Sequence, residues 1–261
     1  MSGWVGIGRS DIGFERKVNQ DAFVTLDRLG FWAVADGMGG HIGGEVAAST
    51  AIATVASRAE LHAIALQQGQ GEPRDFLLDL IAQAQEAILA RAKLDPKFKG
   101  MGTTIVTLII LPLPAPTAFV AHVGDSRAYL FRSEILTPLT RDHTLIEKYM
   151  ERGLLTPEAA RTHPERHVLT RALGMPSAAK PDLSSTELAA SDMLLLCSDG
   201  LTKMLEDQDI REVLARAKGD PMEACEALIA LPQIARACSR EPRRTRRRCR
   251  PRATRSNAAT R

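Results

Sequence analysis

The sequence lacks the marks of several protein classes. None of its four cysteines, Cys197, Cys225, Cys238 and Cys249, falls in a C-x-x-C pair. That argues against a zinc site or a disulfide framework and fits a reducing, cytoplasmic setting. The N-terminus shows no basic segment leading into an apolar one, so no secretory signal is read there. Nor is there a convincing membrane span. No charged residue occurs from Gly100 to Gly124, but Pro112, Pro114 and Pro116 break the stretch. Two buried strands joined by a Pro-rich turn account for it better than a transmembrane helix.

Charge is missing in a second, lopsided way. From Pro232 to Arg261 there are eleven arginines, no lysine and one acid, Glu241, a net charge of +10. Residues 1–231 hold 30 acidic and 23 basic residues, a net charge of −7. The basic segment also has few large apolar residues and no periodicity, so it cannot bury enough surface to fold alone. The expected organisation is a folded body over 1–231 and an Arg-rich, disordered tail over 232–261. Phosphate attraction gives such a tail a physical route to nucleic acid. Without interleaved aromatics or a binding fold, nucleic acid ranks last among the partners considered.

What is present suits one large domain: 261 residues, of which 44% are hydrophobic. A short apolar run, Phe31–Ala35, stops at Asp36-Gly37. Helical patterns are expected over Glu45–Leu66, which is Ala-rich, and over Arg74–Lys93, where apolar residues recur at helical spacing. Strand-like runs follow at Thr104–Leu111, Ala118–Val123 and Ala128–Phe131. Residues 142–180 are polar, with short helical pieces near Leu145–Arg152 and Pro157–Arg161. Met193–Cys197 is apolar and stops at Ser198-Asp199-Gly200, and helices are expected at Asp207–Lys218 and Pro221–Leu231. Strands grouped around paired helices point to α+β layers rather than regular βαβ alternation.

Three apolar runs end in a carboxylate beside glycine: Ala35-Asp36-Gly37, Val123-Gly124-Asp125 and Ser198-Asp199-Gly200. Each alone reads best as a turn after a strand. Together they suggest carboxylates delivered to one place, where like charges raise one another's pKa unless a cation neutralises them. An all-oxygen donor set suits Mg²⁺ or Mn²⁺ rather than zinc.

Five segments occur in order: Glu15-Arg16-Lys17-Val18-Asn19-Gln20-Asp21-Ala22, Val34-Ala35-Asp36-Gly37-Met38-Gly39-Gly40-His41, Gly102-Thr103-Thr104, His122-Val123-Gly124-Asp125-Ser126-Arg127 and Cys197-Ser198-Asp199-Gly200-Leu201. In order and spacing they resemble the bacterial PPM-type (type 2C) metal-dependent serine/threonine protein phosphatases, over roughly residues 4–231. The resemblance implies a four-layer α/β/β/α sandwich with two central antiparallel sheets. It implies two Mn²⁺ or Mg²⁺ ions, and a third, weaker site. Asp36 would bridge two ions, with Asp21, the Gly37 carbonyl and Asp199 completing their shell, and Asp125 with Asp199 would serve the third. Arg16 would hold the substrate phosphate, and a dimetal-bridged water would attack phosphorus directly. His41 would protonate the leaving oxygen or merely line the site. Residues 142–175 would be a flap beside the site. Phosphorylated proteins, a Ser/Thr kinase among them, would be the substrates of a monomer with no membrane partner.

The resemblance stops at the C-terminal end. The family's closing Gly-x-Asp-Asn-x-Thr motif and its apolar strand are absent: no Asp follows Asp220, and no Asp-Asn pair occurs. The expected fold therefore lacks its last strand. A catalytically impaired or dead member that binds phosphoprotein without turnover is the alternative reading.

Overall fold

The computed structural model describes residues 4–13, 18–38, 43–112, 114–177 and 180–240, with the backbone alone for 232–240. The first strands, β1 (Asp21–Leu26) and β2 (Phe31–Met38), form an antiparallel hairpin, followed by two long helices, α1 (Gly43–Gln67) and α2 (Pro73–Leu94). Next come β3 (Gly102–Thr103), β4 (Ile105–Leu111), β5 (Thr117–Val123), β6 (Arg127–Arg132) and β7 (Ile135–Pro138). Two short helices, α3 (Leu145–Glu151) and α4 (Pro157–Thr162), precede β8 (Asp182–Glu187) and β9 (Met193–Cys197). The chain then continues through α5 (Asp199–Thr202), α6 (Asp207–Ala217) and α7 (Pro221–Arg240).

The strands form two antiparallel sheets. The larger runs β1-β2-β4-β5-β8, with β3 also paired to β2, and the smaller runs β7-β6-β9. Side-chain alternation then sorts the layers. Phe31, Ala33 and Ala35 of β2, Ile105 and Ile109 of β4, and Ala121 and Val123 of β5 pack outward against α1 and α2. Their neighbours Trp32, Val106, Leu108, Ile110 and Val120 face inward, against Ala128, Leu194 and Leu196 of the smaller sheet. The smaller sheet's far face, with Phe131, Met193 and Leu195, meets α6 and α7. This is the α/β/β/α sandwich.

The Ala-rich character of α1 has a packing reason. Ala47, Ala51, Val55, Ala59 and Ala63 recur every four residues and are fully buried, so one stripe of small side chains lets the helix sit close to β2. The larger Leu77, Leu80, Ile81 and Ile88 of α2 fill the remaining space.

Four strands go beyond the expected runs: β1, the two-residue β3, the mostly exposed β7 and β8. β1 opens with an acid, and β8 reads Asp-Leu-Ser-Ser-Thr-Glu, too polar to stand out. β8 is a strand because its backbone pairs with all of β5 from Thr117 to His122; tertiary pairing overrides weak local preference. The last helix also differs from expectation. The backbone of α7 runs to Arg240, past the anticipated boundary at 231. Ala235 and Ala237, together with Gln and Arg, are good helix formers that continue it. The rest of the Arg-rich tail, 241–261, lies outside the described residues.

Among the described residues β9 is paired on one side only, with β6. Beside it a cavity of about 690 Å³ lies between the sheets, lined by Trp32, Leu108, Leu194 and Leu196 and reaching Ala224 and Leu228 of α7.

The close α1–β2 contact is testable. Ala51→Leu inserts bulk where no space exists, and we expect a cost of about 1–3 kcal/mol, seen as a lower melting temperature. An unchanged melting temperature would show that the stripe tolerates larger side chains.

Candidate metal centre

Sheet register builds the site. In the β1–β2 pair Asp21 stands directly opposite Asp36, so two carboxylates occupy adjacent cross-strand positions, an arrangement that ordinarily destabilises a sheet. In the β6–β9 pair Arg127 is opposite Cys197. Continuing that register by two residues on each side brings Asp125, before β6, opposite Asp199, after β9. One acid pair thus lies within the larger sheet, and a second, Asp125 with Asp199, lies just beyond the smaller one, where the Asp199 charge acts on Asp125.

The pairs meet. The Asp36 carboxyl is hydrogen-bonded to both Asp21 and Asp199. Burial, then the charges of Asp21 and Asp199, push Asp36 up to about 9. Burial, followed by Asp199 and Asp142, pushes Asp125 up to about 7. Asp36 and Asp125 are both buried, so ionising the cluster has a high cost. Lys203, one helical turn after Asp199, forms an ion pair with it.

Other groups hold the acids in place. The Ser198 hydroxyl donates to Asp21 Oδ2 at 2.8 Å. The backbone of Asp36 is held by two threonines: its N–H donates to Thr104 Oγ1 at 3.0 Å, and its carbonyl accepts from Thr103 Oγ1 at 2.9 Å and from the Thr104 N–H at 2.9 Å. Beyond Asp36, Gly37 must be glycine, because a Cβ there would lie 2.0 Å from the carbonyl oxygen of Gly44 in the first turn of α1.

Of the expected site residues, Asp21, Asp36 and Asp199 are therefore together, Asp125 lies beside Asp199, and Gly37 follows Asp36 at the end of β2. Arg16 and His41 lie outside the described residues. His122, which lies in the fourth motif, is buried in β5 with Nε2 2.7 Å from the Arg141 carbonyl oxygen. Cys197 is buried and free, and burial raises its thiol to about 12, which fits no nucleophilic role.

Residue-by-residue reading missed Ser198, Lys203 and the two threonines as supports. Ser198 and the threonines sit within the quoted motifs. Lys203 offered only its four-residue spacing from Asp199.

Among the described residues no three His, Cys, Asp or Glu side chains enclose a point at metal-binding distances. Instead Asp36 bonds to its neighbouring carboxyls. The donor set nonetheless fits a hard divalent cation: all oxygen, mostly carboxylate, buried or half-buried, and balanced among the described residues by Lys203.

Comparison with known proteins agrees. The Protein phosphatase 2C family profile matches residues 8–230. The chain belongs to that family. It is 36% identical over 209 residues to the serine/threonine phosphatase stp of Listeria monocytogenes, covering 79% of this chain and 81% of that protein. It is 37% identical over 210 residues to the serine/threonine protein phosphatase PstP of Mycobacterium tuberculosis, covering 79% of this chain but 38% of the relative's length. The crystal structure of the PstP catalytic domain in complex with two manganese ions superposes with a TM-score of 0.73 at 33% identity, covering 86% of this chain and 89% of that one. As a protein phosphatase 2C chain it has the two-sheet fold implied by its five motifs. The alternative of a member that binds without turnover finds no support over turnover in these relatives.

The acid cluster has a consequence for pH. Asp36 ionises near 3.8 in an unfolded chain but keeps its proton to about 9 in the fold. The folded state thus binds more protons between those values, and this contribution to stability is lost as pH rises toward the folded pKa. The buried imidazoles of His122 and His143 are held low and add nothing above neutrality. Metal-free protein should therefore lose stability from about pH 7 to 9, by up to about 1.4 kcal/mol per pH unit. Melting curves in chelator will show this slope, and Asp36→Asn should flatten it. An equally steep slope in the variant would remove Asp36 as its source.

Proposed function

We propose that this chain is a metal-dependent protein serine/threonine phosphatase, hydrolysing phosphoserine and phosphothreonine in other proteins. The convergence of Asp21, Asp36 and Asp199 from two sheets carries the reading. The functional domain is taken as residues 1–231, and the protein as a cytoplasmic monomer whose substrates include a Ser/Thr kinase. Among the described residues, no helix is long and apolar enough to cross a membrane.

In this reading Asp36, whose carboxyl lies against Asp21 and Asp199, would serve both ions. Asp21, the Gly37 carbonyl and Asp199 would complete the set for two ions, and Asp125 with Asp199 would serve a third. When bound, Mn²⁺ or Mg²⁺ supplies Lewis acidity and an activated water. The threonine bonds hold the Asp36 backbone and the Ser198 bond holds the Asp21 carboxylate. To hold a cation, the Asp36 carboxyl would have to give up its proton and draw away from its neighbours. Arg16 orients the substrate phosphate through its planar fork of donors. His41 would pass a proton to the departing serine or threonine oxygen, or merely line the site. No cysteine takes part.

Activity on a phosphothreonine peptide should vanish after exhaustive chelation and return with Mn²⁺. Full activity in the chelated protein would overturn the reading.

Asp36→Asn should lower kcat about a thousandfold, roughly 4 kcal/mol of transition-state stabilisation. Arg16→Ala should chiefly raise KM, by about tenfold, as expected for removal of a substrate contact. Steady-state kinetics at saturating Mn²⁺ separates the two, and near-normal turnover by Asp36→Asn would remove it as the bridging ligand.

A further inference from the structure

Asp125 is carried by a turn that is held from behind. β5 ends at Val123, and Gly124 reverses the chain with φ +109°. A side chain could not fit, since a Cβ would lie 2.5 Å from the Thr104 methyl carbon. Both polar groups of Gly124 are used by one residue, His143. The Gly124 carbonyl accepts from the His143 backbone N–H at 2.9 Å, and the Gly124 N–H donates to His143 Nδ1 at 3.1 Å.

The imidazole itself is tightly placed. It stacks on His122 with ring centroids 4.5 Å apart, and its side chain is 4% exposed. Because Nδ1 accepts from Gly124, Nε2 carries the ring proton, and the 3.1 Å approach of Arg171 Nη1 to Nε2 is a packing contact between two donors. Nε2 lies 3.2 Å from Asp182 Oδ2, while Arg171 holds the other oxygen of Asp182. Asp182 opens β8 and pairs with His122 in β5. The carbonyl of His143 accepts from the Thr170 N–H at 2.8 Å, and Thr144 bridges to Leu169. One histidine thus ties the Asp125 turn to both ends of the 142–175 segment and to β8.

We propose that His143 is a positioning residue for Asp125, setting that carboxylate through Gly124 and linking its placement to the 142–175 segment. The proposal rests on the reading of Asp125 as a cation ligand. Groups behind a metal ligand typically change metal affinity 10–100-fold when removed. His143 acts at one remove further, through the backbone of the preceding residue. A residue that only stabilised the fold would lower the melting temperature without singling out one binding step.

Two substitutions separate the ring's two nitrogens. His143→Asn places an amide oxygen near the Nδ1 position and keeps an acceptor for Gly124. His143→Gln reaches the Nε2 position and keeps a partner for Asp182, but leaves the Gly124 N–H without its acceptor. Mn²⁺ binding to the full chain is followed by titration calorimetry, with melting temperatures measured in parallel. Asp125→Ala should remove one Mn²⁺ binding step. His143→Gln should weaken that same step about tenfold, while His143→Asn stays within about threefold of the parent and the two variants melt alike.

If Asp125→Ala leaves Mn²⁺ binding intact, the ligand reading fails. If Asp125→Ala removes the step but the Asn and Gln variants bind Mn²⁺ equally, the ligand reading stands and the positioning proposal is overturned. Should His143→Gln fail to fold, Asp182→Asn takes its place, because it keeps the ring and removes the charge that faces both the Nε2 proton and Arg171. A weakening of the Asp125-dependent step by about threefold then supports the proposal, and no change counts against it.

Discussion

Mutual repulsion among buried carboxylates is the constraint around which this structure is organised. Antiparallel register sets Asp21 against Asp36 in the larger sheet, and the smaller sheet's register brings Asp125 and Asp199 to facing positions beyond its strand ends. Stacking the sheets then places Asp199 in hydrogen-bonding contact with Asp36. A fold selected for stability alone would not gather four acids and bury two of them, Asp36 and Asp125, which resist ionisation there. Protons relieve the repulsion at low pH and a divalent cation can relieve it at higher pH, so the cluster's weakness as structure is its strength as a binding site.

The layers around the cluster supply the rigidity that this arrangement demands. Alternation along β2, β4 and β5 feeds two hydrophobic layers at once, one under α1 and α2 and one between the sheets. The small-residue stripe of α1 brings that helix close to β2, and its first turn presses on Gly37 next to Asp36. The bonds from Thr103 and Thr104 fix the same stretch from the other side. The apolar cavity beside the one-sided edge of β9 ends against Asp21, Asp36 and Asp199, so the least filled part of the interior adjoins the most charged part.

Several elements could be read before any coordinates. The long helices, β4, β5 and β9 have strong periodicity or continuous apolar runs, and they fall within two residues of where they were expected. Asp21, Asp36, Asp125 and Asp199 were identified from their motifs and, for all but Asp21, from the neighbouring glycine. β8 was not legible, because Ser, Thr and Asp carry little strand preference and pair only because β5 offers an unfilled edge. His143 was legible only as one of three histidines in a polar segment. Its bonds to Gly124 span 19 residues, and no local pattern encodes that contact.

The sequence by itself determined the inventory: which acids exist, which apolar runs can be strands, and the abrupt change to an Arg-rich composition after Leu231. Those follow from composition and short-range spacing, which depend on chemistry within a few residues. Tertiary structure alone decided which acid faces which, and that is what makes a site of them. Coulomb repulsion and desolvation depend on distance through space and on burial, and both are set by strand register and sheet stacking. Asp21 and Asp199 are 178 positions apart in the chain, yet both contact the Asp36 carboxyl.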